Sequence, residues 1–420
     1  MYRSIAILGI AAAVIGITPT VYASPSTNQI AQTKSAEDLY QKGLQKLESK
    51  EFWSAIAEFN QALEANPNNA EIYLYRGLAQ NKVEDIMAAI KDFKEALRIE
   101  PSYGDLRKTI EKHPDLSKAY NLLNAARSQY FTAVIKENPN DAKAYLYRGL
   151  ANKDSGNNQQ AIADFSQVIR LQPNNSEAYL NRGIAQRMYD ANKALSDLNK
   201  AIQLNANNAE AYLNRGLVYS GLGNEQKAIS DFDTSIRLKP DYADAYFNRS
   251  ASRNKLGDTK GAIADISEVI RLQPKDAAKL YAARGDFRFK LKDTEGALAD
   301  YNEAIRLAPD IVSYTDTRFA SYLAYERRAN LRYELKDYEK AIDDYSEVIS
   351  LAPKGSAFNG AVNSAEIWAN AYYRRAQAHV QLGDKEDAIE DYQKAAQYYQ
   401  ERGLTNQYEK ALQLVRALEQ

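Results

Sequence analysis

Three short stretches of this sequence are near copies of one another: Ala-Tyr-Leu-Tyr-Arg-Gly-Leu at 144–150, Ala-Tyr-Leu-Asn-Arg-Gly-Ile at 178–184 and Ala-Tyr-Leu-Asn-Arg-Gly-Leu at 211–217. A copy every 34 or 33 residues restricts the chain to architectures that stack one small unit on the next, because a single unit of that size cannot bury an apolar face alone. Starts at 36, 70, 142, 176, 209, 243, 278, 322 and 369 align nine copies, with one residue missing in the middle of the copy at 176. Pro67, Pro101, Pro173, Pro240, Pro274, Pro309 and Pro353 then share repeat position 32, where only Ala206 and Gln400 depart.

Several further columns agree independently. Position 8 is small in every copy: Gly43, Gly77, Gly149, Gly183, Gly216, Ser250, Gly285, Ala329 and Ala376. Position 20 is always alanine, and position 24 is large: Phe59, Phe93, Phe165, Leu198, Phe232, Ile266, Tyr301, Tyr345 or Tyr392. A small residue facing a large one lets two helices of a hairpin close without voids. Position 4 is Leu39 once and tyrosine eight times, which accounts for much of the total of 30 tyrosines and reads as core.

Together the columns resemble the tetratricopeptide repeat. The resemblance implies an all-α, right-handed α-solenoid (superhelix) of helix-turn-helix repeats. Apolar residues at Leu404, Tyr408, Ala411, Leu412, Val415 and Leu418 have the spacing of a C-terminal capping helix within 402–420. Residues 36–103 hold the first two repeats and 142–401 the last seven. The stretch 104–141 ends like a repeat but begins without the tyrosine and glycine columns and contains His113-Pro114, so it reads as a degenerate repeat or a helical insertion. Longer connections at 310–321 and 354–368 are expected to end in lengthened first helices, with Asn363 and Glu366 placed for a capping box.

Ahead of the repeats, one cation at Arg3 precedes an apolar run from Ile5 to Ile17, and small residues stand before a cut after Ala23. This is the layout of a secretory signal peptide, too short to span a bilayer, with 24–35 as a flexible leader. The expectation is export to a periplasm or an equivalent envelope compartment.

Composition narrows the chemistry. Lys and Arg number 54 against 55 Asp and Glu, so no net field draws the molecule to nucleic acid. There is no cysteine, and the two histidines, His113 and His379, offer little for catalysis or a metal. Gly221-Leu222-Gly223 lacks the third glycine of a dinucleotide fingerprint, and no phosphate loop, nucleophile elbow or EF-hand loop occurs. The expectation is a protein with no catalytic residues, cofactor or metal.

Two charged columns run through the copies. Position 7 is arginine in eight repeats, from Arg76 to Arg375, and position 23 is aspartate in the same eight; the first repeat has Lys42 and Glu58. They are expected to pair, within a repeat or between neighbouring repeats, as a partly buried charge-assisted bond. In proteins that carry such repeats the concave wall is formed mainly by the first helices, and the resemblance assigns positions 2, 5, 6, 9, 12 and 13 to it. Position 6 is Asn181, Asn214 and Asn248 in successive repeats, a ladder of amides suited to an extended backbone. Tyr75 and Tyr147, with Leu146 and Leu150, make the N-terminal part apolar, and Lys255, Lys290, Arg327 and Arg374 make the other end basic, diluted by Asp286 and Glu326. The function read from this is a scaffold gripping a peptide segment or partner protein in assembly of envelope complexes. A self-associating structural protein is the alternative, and a carbohydrate-binding or hydrolytic protein a more distant one.

Overall fold

The computed structural model describes residues 27–274, 277–308, 317–351 and 364–420, and every regular element among them is helical. The signal-like segment 1–23 and Asn363 lie outside the described residues. The chain divides into two compact units, 1–188 and 189–420. The division falls in the turn where the repeat is one residue short.

In the first unit, α1 (Thr27–Glu48) and α2 (Phe52–Ala65), α3 (Ala70–Lys82) and α4 (Ile86–Ile99), and α7 (Ala142–Asp154) and α8 (Asn158–Leu171) form hairpins, and α9 (Ser176–Gln186) packs on α8. Residues 27–35, expected as a flexible leader, continue α1 instead. No proline or glycine follows Pro25 until Gly43, and the stretch is built from residues that cost a helix little. The second unit runs α10 (Ala191–Leu204), α11 (Ala209–Gly221), α12 (Glu225–Leu238), α13 (Ala243–Lys255), α14 (Thr259–Leu272), α15 (Ala277–Lys290), α16 (Thr294–Leu307), α17 (Thr317–Glu334), α18 (Tyr338–Leu351), α19 (Ser364–Leu382), α20 (Lys385–Glu401) and α21 (Thr405–Glu419). Each helix packs on its successor, α21 covering α20 as the expected capping helix. After the long connections, α17 and α19 have 18 and 19 residues against 13 in α13, the lengthening foreseen.

Local chemistry sets these boundaries. Asn69, Asp141, Asn175 and Asn208 cap first helices by accepting backbone N–H bonds at their starts. First helices end at position 15 in the left-handed region, occupied by Gly156, Gly223, Gly257 and Gly383 but also by Lys50, Glu84, Lys292 and Lys336. Inside the hairpin, a Cβ on Gly77, Gly149, Gly216 or Gly285 would stand 2.6–2.7 Å from the ring of Phe93, Phe165, Phe232 or Tyr301. The small-to-large column is therefore a contact too close for any other residue without movement of the ring.

The stretch 104–141 is half a repeat. Its second half is α6 (Tyr120–Glu137), packed on α4 and α7 as a second helix should be. Its first half is broken into a 3-10 turn at 101–104, α5 (Leu106–Lys112) and a 3-10 turn at 114–119, because Pro114 removes a donor and forces His113 out of helical geometry.

Candidate partner-binding site

The charged columns pair as expected. In the seven arginine-bearing repeats whose two helices lie in one compact unit, the position 7 arginine grips the position 23 aspartate through two nitrogens, as in Arg76 Nε and Nη2 to Asp92 at 2.7 Å each and Arg375 to Asp391 at 2.7 and 2.8 Å; Lys42 and Glu58 of the first repeat make no such pair among the described residues. The aspartates are buried, Asp92 to 3 % exposure. The remaining nitrogen, Nη1, donates to position 25 of the preceding second helix, as in Arg76 to Asn60, Arg182 to Ser166, Arg215 to Asn199 and Arg375 to Ser346. The position 4 tyrosine lies under the same guanidinium, 5.0–5.7 Å from ring centroid to Arg76, Arg148, Arg182, Arg215, Arg249, Arg284, Arg328 and Arg375. These tyrosines are thus half-buried stacking partners rather than core residues, since one ring face must meet the cation. A guanidinium with each of its three nitrogens engaged within the chain is a structural fastening.

The apolar wall expected around Tyr75 is covered by the chain itself. The segment 101–119 lies against α3, and its Leu116 is fully buried in one cluster with Leu74, Tyr75 and Leu78. Tyr75 is 8 % exposed; its hydroxyl meets His113 Nδ1 at 2.9 Å, and the rings cross edge to face at 5.3 Å. Burial pushes the Tyr75 hydroxyl up to about 12 and holds His113 below its ordinary value. On α7, Leu146 and Leu150 are buried around Phe165, and Tyr147 is half-buried with its ring 5.2 Å from that of Phe131. The broken half-repeat fills the face that the regular repeats leave open.

The three asparagines turn inward on their own helices. Nδ2 of Asn181, Asn214 and Asn248 donates to the carbonyl four residues back, that of Glu177, Glu210 and Asp244, at 2.9, 2.9 and 2.7 Å. Oδ1 of Asn181 also accepts from Lys153 at 2.7 Å. Helical geometry favours this back-bond, and it occupies the donor half of the amide. The expected basic end is largely neutralised as well. Lys255 pairs with the buried Glu225 at 2.8 Å, Lys290 donates to Asn254, and Arg327 meets Asp286 at 3.1 Å.

Arg374 is different. It borders a cavity of about 410 Å³ in the second unit, lined also by Glu326, Asn330, Tyr345, Asn370, Tyr373, Gln377, Tyr399 and Lys410. Six of these fall at positions 2, 5, 6 and 9 of the repeats starting at 322 and 369, the positions assigned to the concave wall. Tyr345 and Tyr399 donate through their hydroxyls to Oδ1 of Asn330 and Asn370 at 2.7 and 2.8 Å. That orients both exposed amides and leaves each Nδ2 with no protein acceptor among the described residues. Burial raises Glu326 above the usual carboxylate range, with Arg327 and Arg374 opposing it, and Tyr322 donates to it at 3.3 Å. Lys410 comes from α21 and stands 5.7 Å over the Tyr373 ring. Two free amide donors and two cations beside tyrosine faces suit an acceptor-rich, extended chain. Sequence reasoning placed Arg374 here but missed Asn330 and Asn370, although positions 2 and 9 were already assigned to the wall, and nothing in the repeat pattern pointed to Lys410.

Family models described as tetratricopeptide repeat match residues 58–91, 121–176, 153–188, 209–242, 252–310, 322–354 and 369–402, and one described as TPR repeat matches 190–223, together well over half of the chain. No curated protein sequence matches it. Among solved structures, the chain is similar to MamA (27 % identity over 41 % of this chain and 96 % of that one, TM-score 0.34). It is also similar to yeast Tom70 (16 %, 92 % and 96 %, 0.40) and to a tetratricopeptide repeat protein of Parabacteroides merdae ATCC 43184 (18 %, 69 % and 99 %, 0.39).

Proposed function

The chain belongs to the tetratricopeptide-repeat family, and on that premise we propose that it is a non-catalytic scaffold holding a segment of a partner protein against the first helices of its last two repeats. The observation that carries this reading is the cavity beside Arg374: it is built from wall positions of consecutive repeats, its two asparagine amides are oriented by tyrosine hydroxyls, and among the described residues neither amide nitrogen has an internal acceptor, while Arg374 donates to Gln377 at 3.3 Å. The cavity accommodates one or two side chains of a peptide laid along the first helices. The favoured segment presents backbone carbonyls to Asn330 and Asn370 and an acidic group to Arg374 and Lys410.

The reading includes export. The signal-like start of the sequence supports an envelope compartment, where a scaffold of this kind brings together components of larger complexes. Among the described residues no helix is long and apolar enough to cross a membrane.

The test is retention of partners from an extract of the producing cells by the purified protein and by an Asn370→Ala, Arg374→Ala double variant. A partner held by the first and released by the second, with both melting at the same temperature, is expected. Retention of the same partners by both proteins removes the cavity from the account, and capture of nothing but further copies of the chain replaces the scaffold with a self-associating structural protein.

A further inference from the structure

At position 16, where the second helix begins, seven of the repeats carry an acid, and the fold gives six of those acids something to do. Glu51 pairs with Lys46, Asp190 with Lys193, Asp258 with Arg253, Asp293 with Arg288 and Asp337 with Lys340, at 2.8–3.8 Å. Asp85 caps the backbone N–H of Ala88, and Asp190, Asp258 and Asp293 cap their helices as well. The cations come from positions 11 and 19 of the same repeat. In the last repeat both positions change together: 11 is His379 and 19 is Asp387, where the other copies have Ser, Ala, Gln, Lys or Gly. Asp384 makes no capping bond to α20 and turns instead to His379, with Nδ1 and Oδ2 3.3 Å apart. Neither Asp384 nor Asp387 is paired with a cation of the chain among the described residues. The corner has exchanged a built-in cation for an imidazole and two carboxylates.

The donors converge. One ligand atom each from His379, Asp384 and Asp387 lies within 4.8 Å of the other two. Two donors each about 2.0–2.1 Å from a tetrahedral zinc stand roughly 3.3–3.4 Å apart, which the His379 and Asp384 pair already satisfies. The backbone also limits their movement. His379 is on the last turn of α19 with its side chain 14 % exposed, and Asp384 and Asp387 are one turn apart at the start of α20. One nitrogen and two oxygens from three residues, open to solvent on the remaining side, are a donor set for a borderline divalent ion such as zinc completed by water. Calcium and magnesium, which take oxygen donors and larger or octahedral shells, suit it poorly.

We propose that His379, Asp384 and Asp387 form a divalent-metal site at the corner of the last repeat, the ion supplying the charge that lysine or arginine supplies in five of the other copies. The site lies outside the partner cavity and does not depend on it.

Zinc titration by calorimetry of the full chain, purified without a histidine tag and stripped with chelator, tests this. One zinc ion per chain is expected. His379→Ala and Asp387→Asn should each weaken binding by at least about ten-fold, since even loss of an outer-shell partner costs that much, while Asp258→Asn, at the equivalent corner of another repeat, leaves it unchanged. The imidazole assignment is sharp because the other histidine, His113, is buried. Cobalt in place of zinc should give a visible absorption band in the unmodified chain and in Asp258→Asn only. Equal zinc affinity in the unmodified chain and in both site variants, each verified by circular dichroism to be folded, overturns the proposal, as does the absence of binding to the unmodified chain at zinc concentrations in the hundred-micromolar range.

Discussion

Repeat position 6 is Tyr75 in the first unit and Arg374 in the second, and the two meet opposite fates. Tyr75 is buried under a histidine and a leucine delivered by residues 101–119, whereas Arg374 borders an open cavity with donors to spare. Both sit on a first helix at the same place in the same hairpin. What separates them is the neighbouring sequence: a half-repeat broken by Pro114 in one case, an unbroken pair of repeats and a capping helix in the other. In these two repeats the wall position stays open where the adjoining segment keeps the repeat geometry and is covered where it does not.

The largest test of this contrast is Leu116→Ala, which deletes a fully buried side chain from the covering segment. Such a deletion costs roughly 2–5 kcal/mol, and here the loss should appear as local release: hydrogen exchange at 101–119 accelerates while α19 to α21 are unaffected. Uniform destabilisation of both units would erase the distinction between a covered and an open wall. Next comes the fastening column. Arg76→Met strands Asp92 and should cost about 3 kcal/mol, the low end for a buried charge that loses its partner. Arg328→Met should cost less than half as much by thermal melting, because Arg332 still bonds Asp344 at 2.8 Å. Equal losses would show that the second arginine contributes nothing.

The smallest effect is with pH. His113 is held neutral by burial, its folded value below the unfolded one of about 6.5. The unfolded segment thus binds the proton more readily, so the stability His113 lends is present above that value and drains away as pH falls below it. Protection factors at 101–119, which remove the intrinsic pH dependence of amide exchange, should fall between pH 7 and pH 5, and His113→Gln should flatten the fall; an unchanged slope would assign the pH response to other groups.

The copies made some of this legible and hid the rest. Gly77 against Phe93 and Arg76 against Asp92 were readable because the same pair recurs, so the sequence acts as its own alignment. Residues 101–119 have no counterpart to be compared with, and that is why the burial of Tyr75 was not foreseen. The amides of Asn181, Asn214 and Asn248 recur too, yet recurrence does not distinguish a donor aimed at a ligand from one returned to its own helix. Lys410 reaches the cavity from a helix outside the repeat pattern, where periodicity carries no information.

In the repeats that lie within one compact unit and carry the position 7 arginine, its guanidinium joins the repeat's own aspartate to a polar residue of the second helix before it, and the same two sockets recur. Every junction therefore presents matching halves, and a copied repeat inserted between two others would find both of its bonds waiting. The first repeat carries the exposed Lys42 at this position instead of an arginine. In evolutionary terms the array can lengthen or shorten by whole repeats without redesign of its joints.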